Sequence, residues 1–540
     1  MGAQIKPPPG TGPYCYRIHG QIYHVVSPLH SDHNKPGYGQ LYIFDTSKAT
    51  EKRMERNEGC LPSVMDRLDS MLRAINPFID CYLQMHRIIE ENPATNIRMV
   101  FMENGDLDLR RFIQPTSKTE IAAICVGDSG EPPANRDICI YPMGNSFKNI
   151  SPLNQCYDPM VYPLLFPRGE LGWNINMKHS EEGRSSKYTR VTKLQFYAYR
   201  LAMRSDFSIL HHSGKLFQKY IVDAYVKTEG SRLNYLRNNQ KTLRIEHYKG
   251  LLDALNSRAL NQGVHTGKLI ILPSTFQGSP RHVHQNYQDA MAMVRKFGRP
   301  DLFVTFTCNP TLVDILNVLE GPQRPEDRPD IIVRVFKMKL TELLDDIIKR
   351  NLFGRVISYI YVIEFLERGL PHAHILLTLD TYSKIRTKDD IDKYVSAELP
   401  DPISDPKLFH IITRCMIHGP CGTLNPNGRH DLDNRWVIPY NPWLSKKFNA
   451  HINVEICASI KSVKYLYKYV YNGHDAASMR FENEKTLYYD EILSFLDGRY
   501  VSALEAMWRL NEFNLSEKSH TVVRLAVHLP DQQAIVYQDG

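Results

Sequence analysis

The apolar positions of this chain change period several times, and each change marks an element. Between residues 61 and 91 they recur at helical spacing with a break at Asn76-Pro77, so two consecutive helices are predicted. The helical period returns over 193 to about 255, and at 330–350, where the stripe is amphipathic. Alternation or short apolar runs replace it at 39–46 (GQLYIFDT), 97–102, 137–142, 269–273, 301–310 (DLFVTFTCNP), 357–365 and 372–379, and these read as strands. The last two flank Arg368-Gly369-Leu370-Pro371, which predicts an antiparallel hairpin. Residues 446–457 read as another strand region, 462–472 as a helix closed by Gly473, 499–513 as a helix and 521–530 as a strand; 145–170 are loop-like.

Strands and helices interleaved in this way, with one hairpin among them, argue for an α+β fold. Its core would be the strands 301–308, 357–365 and 372–379 with the helix 462–472. The predicted division is a disordered Pro/Gly-rich leader over 1–14, a mixed α/β domain over 15–176 and a charged linker over 177–192. A main domain over 193–480 follows, helical in front to about 260, and then a C-terminal extension over 481–540.

Composition narrows the classes. Of 540 residues, 42% are apolar and 23% charged, which excludes wholesale disorder. Ten scattered cysteines without a CxxC exclude a disulfide scaffold and favour reduced thiols. No run of eighteen apolar residues exists to span a membrane, and the first twenty residues lack the apolar stretch of a signal peptide. The net charge of +7 is a mild basic bias, compatible with a nucleic-acid partner. No G-x-x-x-x-G-K-[ST] occurs, which argues against a P-loop ATPase or helicase, and neither G-x-S-x-G nor H-E-x-x-H is present.

Three groups of residues carry candidate chemistry. His372 and His374 stand two apart in a predicted strand, so both point to one face, with Leu376 and Thr378. Two imidazoles so placed can bind a divalent cation, and Glu364 on the preceding strand would add an oxygen ligand if the register brings it across. With 21 histidines, one such pair is expected by chance; a second, His282 and His284, sits in polar text. In KYLYKYVYNGHD, Tyr465 and Tyr469 lie four apart on one helix face, as do Tyr467 and Tyr471, and Lys461, Lys464 and Lys468 also share a face. The plain reading is an aromatic core face with a basic edge. The chemical reading is a phenol that attacks a phosphodiester beside a cation, with lysines drawing the backbone. Cys415, His418 and Cys421 have zinc-like spacing but need a fourth ligand, for which Cys457, His410 and His430 are candidates. Thr305 and Thr307 share a strand face, and their default reading is structural.

In order, TFTCNP, RGLPHAHILL and SVKYLYKYVYNGHD resemble the replication-initiator region of Helitron transposases. YRIHGQIYH, YDPMVYPLLFPRGE, FYAYRLAMR and DNRWVIPYNPWLSKKFNAHINVE extend the likeness over nearly the whole chain. That family belongs to the HUH endonucleases, which implies a central antiparallel sheet carrying the two histidines, flanked by helices. The resemblance implies His372, His374 and Glu364 as ligands of Mg²⁺ or Mn²⁺, and Tyr465 and Tyr469 as nucleophiles, with Tyr467 and Tyr471 at the same spacing as the open alternative. It implies single-stranded DNA as partner, nicked and transferred through a phosphotyrosine. Lys461, Lys464, Lys468 and Tyr467 would contact the strand, and Trp436 and Trp443 are further stacking candidates. It implies a nuclear site of action, with a cytoplasmic one as the alternative, and the sequence itself points to no membrane partner.

The sequence departs from the family pattern at Leu312-Val313, at Leu366-Glu367 and in the short run NPNGRHDLDNRWV. That short run removes family zinc ligands and counts against zinc at Cys415, His418 and Cys421. Family proteins continue into a helicase, so the expectation is a truncated copy with any helicase supplied in trans. The alternative is a catalytically inactive single-strand-binding remnant.

Overall fold

The computed structural model describes residues 39–55, 57, 59–91, 153–180, 189–204, 207–240, 265–365, 369–417, 434–457, 479–482, 486–496 and 499–523, with isolated strand segments at 4–6, 15–19, 25–26, 97–101, 112–113, 123–126, 138–140 and 148–149. The chain packs into two compact units that do not follow chain order.

The first unit comprises Met1–Tyr235, Glu320–Asp330 and Leu496–Asn511. Helices α1 (Pro62–Ile75) and α2 (Pro77–Glu91) form where the period predicts them. Asn76 separates them because a residue before proline is pushed into the extended region. The expected strand at 39–46 is a correction: the segment is a 3-10 turn, Gly39–Tyr42, leading into a helix over Thr46–Met54. The carbonyls of Tyr42 and Phe44 accept hydrogen bonds from the Arg73 guanidinium at 2.8 and 2.7 Å, and the Asp45 carboxylate accepts from the backbone of Lys48 at 2.8 Å. Those partners satisfy the backbone locally and leave no ladder to build.

Helices α3 (Lys193–Arg200) and most of α4 (Lys215–Asn238), which sequence order would put at the front of the main domain, also lie in this unit. They close on Asp158, inside a short helix, Tyr157–Val161, that the loop-like text of 145–170 had concealed. The buried carboxylate accepts from the hydroxyls of Tyr197 and Tyr220 at 3.2 and 2.9 Å, from Arg200 at 3.2 Å and from Lys227. A buried charge is tolerable only with such a complete set of donors.

The second unit comprises Leu236–Leu319, Ile331–Phe495 and Glu512–Gly540. Its helices include α5 (Pro280–Phe297), α6 (Pro329–Ile348, in this unit from Ile331) and α7 (Pro442–Phe448). Its central sheet is five-stranded and antiparallel: β1 (Leu302–Thr307), β2 (Val356–Phe365), β3 (Pro371–Leu379), β4 (Ile452–Ile456) and β5 (Ser516–Lys518), in the order β4-β1-β3-β2-β5. The fold is α+β.

Several strand and helix boundaries differ from expectation, among them the strand read over 269–273, which is His265–Ile270. Residues 446–448 end α7, because Pro442 suits a first helical turn and the Asn441 side chain caps it, while Asn449, left-handed at φ 46°, stops it; only Ile452–Ile456 is strand. Within 499–513, Arg499–Ser502 is strand and Ala503–Leu510 helix. The helix read over 462–472 and most of the strand read over 521–530 lie outside the described residues.

The two faces of the sheet are covered differently. On one face the Phe306 ring stacks on Phe336 of α6, centroids 5.2 Å apart, and meets Phe448 of α7 edge-on at 5.7 Å. On the other, Val283, Ala290 and Met293 of α5 pack against Phe303, Ile360, Val362 and Leu376. The second face also carries Thr305, Thr307, Glu364, His372 and His374, toward the ends of the strands beyond that apolar contact. Phe306→Ala should therefore cost about 3–5 kcal/mol of stability, read as a lower urea midpoint for the unit that holds the sheet; an unchanged midpoint would mean that Phe306 does not anchor α6 and α7.

Candidate functional site

The site begins with cross-strand register. In β3 the pairing sets His372 opposite Thr307 of β1 and Glu364 of β2, and His374 opposite Thr305 and Val362. Directly opposed residues of antiparallel strands share a face. The expectation that both imidazoles point one way is met, and Glu364 is brought across the hairpin to them.

Each ring is held from the β1 side. Thr305 Oγ1 lies 3.1 Å from His374 Nδ1, and Thr307 Oγ1 lies 2.9 Å from His372 Nδ1. His374 Nε2 reaches Glu364 Oε2 at 2.8 Å, and its ring lies nearly parallel to Phe303 with centroids 5.8 Å apart. Burial pushes the pKa of His372 down to about 4, and the neighbouring His374 and His451 add to the shift. His372 is thus neutral at physiological pH, the form in which an imidazole ligates a metal.

His451 is the site residue that sequence reasoning missed. Its Nδ1 lies 3.2 Å from the same Thr307 hydroxyl that meets His372. It is placed by the turn between α7 and β4. The Asn309 side chain donates to the carbonyl of Asn449 at 2.6 Å, and the backbone of Thr307 donates to the carbonyl of His451 at 3.0 Å. Asn309 of the TFTCNP run thus ties down the turn that presents the third imidazole. The position of His451 inside the segment 446–457, read as a strand region, was visible, but its place beside β1 was not.

The other candidates divide. Tyr465, Tyr469, Tyr467, Tyr471, Lys461, Lys464 and Lys468 lie outside the described residues, as do His418, Cys421 and His430. Cys415 ends the helix Pro406–Cys415, and Cys457 is buried in the apolar layer under α5. His282 and His284 fall on α5, where positions two apart do not share a face; His282 Nδ1 meets the carbonyl of Ser274 at 2.8 Å and His284 Nε2 meets Gln288 at 2.7 Å. Trp443 is about half exposed, with the Lys447 ammonium 5.1 Å from its ring centre.

Among the described residues, no group of three or more His, Cys, Asp or Glu side chains is arranged to hold a metal ion. The donor chemistry nonetheless fits a divalent cation: two imidazoles, one of them held neutral by burial, and a carboxylate that now shares a proton with His374 Nε2. His372, His374 and Glu364 are the side chains that would hold such an ion, which would supply a positive charge at that face.

Residues 196–377 match the family model described as the Helitron helicase-like domain at the N-terminus. The match covers α5, β1, β2 and nearly all of β3, with Thr305, Thr307, Glu364, His372 and His374. Over these residues, about a third of its length, the chain is similar to the N-terminal helicase-like domain of Helitron proteins. No curated protein matches the chain.

The His372 shift has a signed consequence in metal-free protein. Its folded pKa lies below the unfolded value near 6.5. Between about pH 4 and 6.5 the unfolded chain therefore binds more protons, and stability falls as the pH is lowered through that window. In EDTA, His372→Gln should flatten the fall in urea stability from pH 6.5 to 4; identical pH profiles for the two proteins would contradict the assignment.

Proposed function

Starting from this similarity to the N-terminal helicase-like domain of Helitron proteins, we propose that the chain nicks single-stranded DNA and transfers the cut strand through a phosphotyrosine. The observation that supports this reading is the shared face of His372, His374 and Glu364, with Glu364 bonded to His374. His372, His374 and Glu364 are the proposed ligands, and Tyr465 and Tyr469 the nucleophiles. Lys461, Lys464 and Lys468 would draw the phosphate backbone, and Tyr467 would stack on a base.

In the first step a phenol of the pair gives up its proton and its oxygen attacks the scissile phosphorus. The phosphorus–oxygen bond to the 3′ side breaks, and that oxygen takes a proton and leaves as a 3′-hydroxyl. The 5′-phosphate stays on tyrosine, and the second tyrosine serves the later transfer. A bound Mg²⁺ or Mn²⁺ would polarise the phosphate and serve as template. The site of action would be the nucleus.

One observation favours a second reading. Among the described residues, no group of three or more His, Cys, Asp or Glu side chains is arranged to hold a metal ion. A remnant that binds single strands without cutting them would keep the sheet and lose the chemistry.

A fluorescently labelled single-stranded oligonucleotide incubated with the full chain and Mn²⁺ separates the two. The nuclease reading expects a covalent adduct on a denaturing gel. The adduct should vanish when Tyr465→Phe and Tyr469→Phe are combined, and fall by roughly two orders of magnitude or more in His374→Ala. Salt-sensitive binding with no adduct, indifferent to these changes, is the outcome of the remnant reading.

A further inference from the structure

The pairing of β1 with β3 gives each site histidine its own hydroxyl. Thr305 serves His374 at 3.1 Å and Thr307 serves His372 at 2.9 Å, both at Nδ1. Both threonines alternate along β1 with Val304 and Phe306, which are buried on the opposite face. We propose that Thr305 and Thr307 are positioning residues of the metal site, which hold His374 and His372 by Nδ1 in either tautomer and so leave Nε2 as the ligating nitrogen. The inference rests on the metal-dependent reading above.

The reason lies in what a hydroxyl can do that other partners cannot. It donates one proton and also accepts, and it rotates between the two roles. Without a cation, His374 Nε2–H donates to Glu364, so Nδ1 carries a lone pair and the Thr305 hydroxyl donates to it. With a cation on Nε2, the proton must sit on Nδ1, and the same hydroxyl turns to accept it. The proton changes nitrogen, the ring stays neutral, and neither state leaves a buried nitrogen unpaired. A carbonyl or carboxylate in place of Thr305 would serve only one of the two states.

Thr307 adds a second constraint. Its single hydroxyl proton faces His372 Nδ1 at 2.9 Å and His451 Nδ1 at 3.2 Å, and can go to only one of them. For both contacts to be hydrogen bonds, at least one of the two rings must carry its proton on Nδ1. The tautomer of His451 is thereby tied to that of His372.

The test is Mn²⁺ binding by the full chain, followed by the electron paramagnetic resonance signal of free Mn²⁺, with no DNA present. Thr305→Val and Thr307→Val keep the shape and remove the hydroxyl, and each should weaken Mn²⁺ binding roughly 10- to 100-fold. Thr305→Ser and Thr307→Ser restore the hydroxyl and should bind within about threefold of the wild type, on the low side of that range. Thermal melts confirm that each variant is folded, and Thr→Ala takes over the hydroxyl-free arm wherever Val misfolds. Wild-type affinity in folded hydroxyl-free variants overturns the inference alone, as does a Ser variant as weak as its Val counterpart. A wild-type chain that takes up no Mn²⁺ overturns the metal-site reading and this inference together.

Discussion

The register of three neighbouring strands is the constraint on which the site depends. His372 gains Thr307 on one side and Glu364 on the other only because β3 sits between β1 and β2 in one alignment. A slip of one residue would turn every side chain of β3 to the opposite face and put the imidazoles among the aromatic rings of α6 and α7. The apolar partners prevent this. Phe306 against Phe336 and Phe448, and Leu376 under α5, lock the pairing from both sides of the sheet. Polar chemistry at the strand ends is thus held in place by hydrophobic packing along the rest of the strands.

The same arrangement explains the state of the polar groups. Among the described residues, α5 packs on the apolar part of the site face, and the histidines lie toward the strand ends, largely withdrawn from water. Withdrawal pushes the pKa of His372 down, and the threonine hydroxyls compensate for the hydrogen bonds its ring and that of His374 would otherwise make with solvent. In the other unit, Asp158 shows the opposite solution: a fully buried charge surrounded by donors from α3 and α4. One unit uses its buried polar cluster to join elements, and the other gathers its donors and acceptors on one sheet face.

The distribution of roles along TFTCNP follows from the sheet. Thr305 and Thr307 meet imidazoles, Phe306 fills the core behind them, and Asn309 ties down the turn before His451. A short run of mixed composition therefore serves both faces of one strand and the loop beyond it. This is why its residues look ordinary singly and become informative together.

Sequence alone determined the kind of structure and the identity of the central strands. Period-two alternation at 301–310 and 372–379, and the spacing of His372 and His374, carry their meaning locally, because neighbouring side chains on a strand obey backbone geometry whatever surrounds them. The helices either side of Asn76-Pro77 were legible for the same reason. The text 39–46 misled because alternation counts only where a partner strand is available, and here Arg73 took up the backbone carbonyls instead. His451 was invisible as a site residue because β4 lies beside β1 across more than 140 residues of chain, and the sequence does not state which strands pair. Which residues share a face is a local property of the backbone; which of them meet across strands is decided by the packing of the whole unit, and only the tertiary structure could reveal it.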